Sequence, residues 1–244
     1  MIVEVCANSL ESALNAQKSG ADRIELCSEL GVGGITPSYG LLKMVRQHIA
    51  IPVHVLIRPR SGDFTYSDIE FEVMKRNIEL CVELGFDGIV SGVLFSDGTL
   101  DVGRTKELLS MSSPLKFTFH RAFDWVKDPL QTLRQLEAMG VDVILTSGLQ
   151  KSAVEGIDLL TELQQKSLKT VIMPGSGVNP DNVHHFMAGG FRAVHLSGSR
   201  FSKRMDTPPR VSMNSPSFLK DDAIALTDGS IIARVVDIVK INSN

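Results

Sequence analysis

Ile2-Val3-Glu4-Val5-Cys6 and, one helical stretch later, Gly20-Ala21-Asp22-Arg23-Ile24-Glu25-Leu26-Cys27 set the pattern that decides the fold. A short β-branched run gives way to a longer amphipathic stretch, a glycine, and a second short run of the same kind. Outward from this pair the unit repeats along the chain. Strands are predicted at Ile2–Cys6, Arg23–Cys27, Val53–Ile57, Gly88–Val90, Lys116–His120, Val143–Thr146, Thr170–Met173 and Ala193–Leu196. Between them, apolar residues at three- and four-residue intervals predict helices such as Ser9–Ser19, Ser67–Leu84, Leu130–Met139 and Ser152–Gln165. Several of these stop at a glycine just ahead of the next strand (Gly20, Gly85, Gly140, Gly189-Gly190), the signal of a helix C-cap.

Eight strands alternating with helices imply parallel strands joined by right-handed crossovers. The competing architecture is an open doubly wound sheet. Eight units in 244 residues fit a closed (β/α)8 barrel of the TIM type better. The expectation is one domain, residues 1–244. It ends in an irregular segment over 201–220, able to fold across the barrel mouth, and a final helix near Asp222–Val239.

Hydrophobic residues at 43% and charged residues at 22% allow a large buried core. No run of 18 apolar residues occurs, so no membrane partner is expected. Glu4 interrupts the apolar start, which speaks against a signal peptide. A net charge of -3 argues against nucleic acid held by bulk charge, though not against a local pocket for a small anion. Cys6, Cys27 and Cys81 form no CxxC pair and no even-numbered disulfide framework, which points to the reducing cytoplasm.

Strand periodicity puts Glu4 with Cys6, and Glu25 with Cys27, on one face of the first two strands. The flanking Val3, Val5, Ile24 and Leu26 suit packing against helices, so the acids and thiols are expected inside the barrel. Buried carboxylates need a partner, either a structural one such as Arg23 or Arg58 or a catalytic setting. Cys6 and Cys27 meet at the mouth if the two strands pair in register, and two thiolates suit Cu(I). Plain packing is the alternative for both.

Polar residues also gather at other strand ends, where TIM-type barrels carry their function. Arg58 and Arg60 straddle Pro59, with Asp63 close behind, and arginine forks suit a carboxylate or phosphate. An Arg60–Asp63 loop bridge is the structural alternative. His120, Arg121 and Asp124 close the fifth strand, a grouping that suits proton transfer by His120 with a carboxylate to orient it. Thr146-Ser147-Gly148, Pro174-Gly175-Ser176-Gly177 and Ser197-Gly198-Ser199-Arg200 are glycine- and hydroxyl-rich and predict an anion site with Ser147, Gly175, Gly177, Ser197 and Gly198. In that reading Glu25 or His120 moves a proton, Asp63 or Asp124 orients, and Arg58, Arg60 and Arg121 hold a phosphorylated or carboxylated metabolite. His195 is inward-facing or core, while His48, His184 and His185 read as surface residues and Cys81 as packing.

Several of these strings together resemble the CutC copper homeostasis protein family. They are Glu4-Val5-Cys6, Gly20 through Cys27, Gly33-Gly34-Ile35-Thr36-Pro37-Ser38, Ile57 through Phe64, Thr118 through Asp124, Leu145 through Gly148 and Met173 through Gly177. The resemblance implies a TIM-like barrel, a cytoplasmic homodimer and a role in copper binding, with Cys6 and Cys27 where that family's copper-ligating cysteines lie. Ser176 stands where that family often has glycine. The copper role leaves the arginines, His120 and the acids of the mouth unexplained, and an enzyme of unknown reaction would use them.

Overall fold

A computed structural model describes residues 1–207, 209–212 and 223–241. Eight parallel strands alternate with helices. They are β1 (Ile2–Ala7), β2 (Arg23–Leu26), β3 (Val53–Leu56), β4 (Gly88–Ser91), β5 (Lys116–Phe119), β6 (Val143–Thr146), β7 (Val171–Pro174) and β8 (Ala193–Leu196). Ladders run in the order β7-β6-β5-β4-β3-β2-β1-β8, so the first strand pairs with the last, Glu4 opposite His195. β7 lies beside β8 without a ladder, and the barrel is nearly closed. This is the (β/α)8 barrel that the repeated unit predicts.

The helices are α1 (Leu10–Lys18), α2 (Tyr39–His48), α3 (Asp68–Glu83), α4 (Val102–Ser112), α5 (Pro129–Met139), α6 (Ile157–Lys166), α7 (Val183–Ala188) and α8 (Gly229–Ile241). Their starts follow local chemistry. Ser9, Ser38, Asp101 and Asp128 each accept an N–H of the first turn, and Ser67 with Glu70 completes a capping box. Gly140 ends α5 at φ 90°, a conformation open to glycine. No helix among the described residues is long and apolar enough to cross a membrane.

Period-two alternation divides each strand between two environments. Val3, Val5, Ile24, Leu26, Val53 and Val55 pack outward with helix side chains in one large core. The opposite face fills the barrel with smaller clusters, one of Cys6, Cys27, Leu56 and Val90 and one of Val143, Leu145, Met173 and Ala193.

Two expected boundaries are corrected. α6 begins at Ile157, not Ser152, because Ser152–Gly156 forms a turn that brings Gly156 against the backbone of Ser147 and Gly148. The C-terminal helix begins at Gly229. Residues 223–227, expected within it, form strand β10 (Ala223–Thr227), antiparallel to β9 (Ser199–Lys203). The helix-favouring Ala-Ile-Ala-Leu sequence there is outweighed by pairing. The hairpin is fastened to the barrel by Asn8 and Asn15 side-chain bonds to the Ala225 and Thr227 carbonyls. Of the expected irregular segment, residues 201–203 belong to β9, while 208 and 213–220 lie outside the described residues.

Candidate functional site

The inward faces converge at the C-terminal end of the barrel on a cavity of about 260 Å³. Its walls include Cys6, Glu25, Arg58, Phe64, His120, Arg121, Gly177, His195 and Ser197. Chain order explains the gathering. Closure of β8 onto β1 brings His195 beside Glu4, and the β1–β2 register places Cys6 beside Glu25.

One wall, from β1, β2 and β8, is a tightly coupled polar cluster. Glu4, fully buried, accepts from Arg23 Nε at 2.5 Å and meets His195 Nδ1 at 2.8 Å. Burial alone would raise the Glu4 pKa, but the Arg23 charge and the His195 bond outweigh it and hold the group at about 2. His195 is shifted the other way. Burial opposes its protonation, yet the Glu25 and Glu4 carboxyls raise its pKa. Since Nδ1 is engaged by Glu4, Nε2 is the ring nitrogen left for a ligand, the arrangement in which a carboxylate orients a metal-binding histidine.

Above this pair, Cys6 Sγ lies 3.5 Å from Cys27 Sγ and 3.4 Å from Glu25 Oε1. The neighbouring Cys27 thiol and burial raise the Cys6 pKa well above its usual value, so the group is a thiol at neutral pH. Burial also raises the pKa of Glu25, whose Oε2 has no partner. Cys27 is wholly buried. Gly34 has φ 84°, and a Cβ there would stand 2.8 Å from Leu56 Cδ2 and 3.3 Å from Cys27 Cβ, so only a glycine lets the Gly33-Gly34 turn lie this close to them. Cys6, Glu25 and His195 bring one ligand atom each within 4.8 Å of one another, a geometry able to hold a metal ion.

The facing wall, from β3 and β5, is built differently. Arg58 is 5% exposed and donates from Nη1 to the carbonyls of Val32 (2.9 Å) and Gly34 (2.8 Å) and from Nη2 to that of Gly62 (2.8 Å). It thereby ties together the loops after β2 and β3. His120 is 4% exposed, and its Nδ1 accepts the Ala122 N–H at 3.1 Å. The ring hydrogen therefore sits on Nε2, which is buried without a partner. Burial first, and the Arg58 charge second, lower the His120 pKa to about 3. The Phe64 ring is shared between them, 4.8 Å from the His120 ring and 5.1 Å from the guanidinium of Arg58.

Other residues expected at the site fall into supporting positions. Arg60 is joined to Glu70 (2.5 Å) and Asp63 (3.2 Å) and to the Thr65 carbonyl (2.8 Å), and neither Arg60 nor Asp63 lines the cavity. Asp124 does not touch His120. Its Oδ1 accepts from Thr146 Oγ1, Ser147 N and Leu149 N, and its Oδ2 pairs with Arg121 Nε at 2.7 Å. Ser147 is held between Arg121 and the Gln150 carbonyl. Gly175 allows close approach of Leu145 and His195, and Gly198 is packed under Ile232. Gly177 and Ser197 do reach the cavity wall.

Reading the sequence without the structure misses the pairing of His195 with Glu4, which closure alone predicts once both are turned inward. It also misses His54, buried on β3 with its Nδ1 unpartnered.

Comparison with known proteins is consistent along most of the chain. Residues 1–200 match the CutC family. A crystal structure from Streptococcus agalactiae of a protein carrying the name copper homeostasis protein CutC is 34% identical. It covers 81% of this chain and 98% of its own, with a TM-score of 0.77. Thiamine phosphate pyrophosphorylase from Pyrococcus furiosus (13% identity, 98% and 96% covered, TM-score 0.59) is similar in fold alone. So is a chain of the tryptophan synthase complex from the same organism (18% identity, 80% and 85% covered, TM-score 0.55).

Proposed function

Since the chain belongs to the CutC family, we propose that it acts in copper homeostasis, binding Cu(I) in the barrel mouth through the sulfurs of Cys6 and Cys27. The observation that carries this reading is the 3.5 Å approach of the two sulfurs inside a buried, largely apolar cluster. Soft sulfur donors favour Cu(I), and an imidazole nitrogen is a compatible third ligand, which His195 offers. Cys6 faces the cavity and Cys27 lies behind it, so the ion enters on the Cys6 side.

Binding has a proton cost, because thiolates are the ligands and the Cys6 thiol is held protonated. Glu25, already accepting the Cys6 S–H, is placed to receive that proton. In this reading the protein works in the cytoplasm, where its three buried free cysteines stay reduced, and, as the family resemblance implies, as a homodimer.

The test is an anaerobic Cu(I) titration against a competing chelator. Cys6→Ser with Cys27→Ser is expected to abolish chelator-competitive binding. His195→Gln, which removes the third ligand, is expected to weaken it by at least the roughly 10–100-fold that losing even a supporting partner of a metal site costs. Wild-type affinity in the double variant would refute the cysteine site.

A further inference from the structure

The wall opposite the sulfurs contains a buried charge that the protein does not neutralise. Arg58 makes no ion pair among the described residues, since its three bonds go to carbonyl oxygens and its Nε has no hydrogen-bond partner. The buried Tyr66 hydroxyl near it offers no counter-charge, because burial pushes its pKa up to about 12. An arginine taken out of water is normally paired with an anion, because desolvating a lone charge is costly. Against the same Phe64 ring, whose centre is 4.8 Å from the His120 ring and 5.1 Å from the Arg58 guanidinium carbon, the His120 Nε2–H is a buried donor with nothing to donate to. Both residues line the mouth cavity, and each lacks the same thing: an acceptor carrying negative charge.

We infer that the mouth cavity is a binding site for a small monoanionic carboxylate, with Arg58 as its counter-ion and the His120 Nε2–H as a second donor. The charge arithmetic selects the class. Arg121 is already neutralised by Asp124, so this wall carries one unmatched positive charge, not two. A phosphoryl dianion would be left half unmatched. Of the three glycines that sequence reading assigned to a phosphate loop, two are committed elsewhere, Gly175 to Leu145 and His195 and Gly198 to Ile232, and only Gly177 reaches the cavity wall. Leu30, Leu56, Leu145, Val178 and Leu196 supply the aliphatic part of the lining, which suits an apolar body behind the carboxylate. A space of about 260 Å³ lies at the small end for ligand pockets, so the body is short.

The inference uses neither cysteine and stands or falls apart from the copper reading. Its test is calorimetric titration of the copper-free full chain with butyrate, pyruvate and lactate, with inorganic phosphate and uncharged butyramide as controls. At least one carboxylate should bind saturably at one per chain, and neither control should. Arg58→Gln and His120→Phe should each weaken that binding by about tenfold or more. Arg58 also ties two loops together, so if Arg58→Gln fails to fold, the effect of His120→Phe decides the matter. Cys27→Ser should lower Cu(I) affinity while carboxylate affinity holds, which separates the two readings. The inference is overturned if no carboxylate binds by about 10 mM, beyond the weak millimolar range. It is equally overturned if phosphate or butyramide binds as well, or if folded Arg58→Gln and His120→Phe bind like wild type.

Discussion

On the β1–β2–β8 side of the mouth Glu4 lies between Arg23 and His195, whereas on the β3–β5 side Arg58 meets three carbonyl oxygens and no carboxylate. Both walls bury formal charge at similar depth. The first satisfies it internally and holds the protonated Cys6 thiol beside it, where the proposed Cu(I) site lies. The second leaves a cation and a neutral N–H donor open to an incoming anion. On the two proposals above, walls a few side chains apart take ligands of opposite charge. A barrel allows this because each strand contributes its inward residues independently.

The largest effect should come from breaking the self-neutralised wall. Glu4→Gln strands Arg23 and is expected to cost about 3–5 kcal/mol in urea unfolding, the penalty of removing one partner of a buried pair. A loss below about 1 kcal/mol would mean that Arg23 is already solvated and that the walls do not differ as described. Next comes Asp124→Ala, which removes three accepted bonds and the partner of Arg121. A destabilisation of about 2–3 kcal/mol is expected. The change should also leave a second unmatched cation in the arginine wall, visible as new binding of inorganic phosphate.

Acid should act on the neutral histidines. His120 and His54 have folded pKa values of about 3 and 4 against an ordinary 6.5, with burial the main cause in both. Below 6.5 the unfolded chain takes up protons that the folded chain refuses. Their contribution is therefore complete above 6.5 and is lost as pH falls towards 4 and then 3. His120→Gln should flatten this limb of a stability–pH profile by up to about 1.4 kcal/mol per pH unit. An unchanged slope would show that the His120 ring is already charged in the folded protein. The smallest effect is reserved for Arg60→Ala. This half-exposed loop arginine should cost about 0.5–1 kcal/mol and leave both ligands' affinities unchanged, in contrast with Arg58 two residues away.

That contrast marks how far sequence reading reaches. The barrel is legible because hydrophobic periodicity and helix-ending glycines recur from unit to unit, and each repeat supports the others. Strand ends are legible as the place where polar residues gather. Which of Arg58 and Arg60 turns inward is not, because regular strand geometry stops at Leu56 and the loop beyond follows its own hydrogen bonds. His195 is ambiguous for another reason. Its partner Glu4 stands 191 residues earlier, and only closure brings them together. The Ala223–Thr227 strand reads as helix because its residues favour helix and its pairing partner, Ser199–Lys203, lies well upstream.

Strand β4 and the residue after it face the barrel with Gly88 and Gly92. A Cβ at 88 would collide with the His54 ring, and one at 92 would stand 2.8 Å from His120 Nδ1. The two rings thus occupy room that β4 has given up, and each histidine is inherited together with a glycine on the neighbouring strand. Among descendants of this sequence, a larger residue can be accepted at 92 only after 120 has shrunk, and at 88 only after 54 has. The order of those changes is then constrained, and lineages that lose the histidine first are the ones free to rebuild the pocket for a different guest.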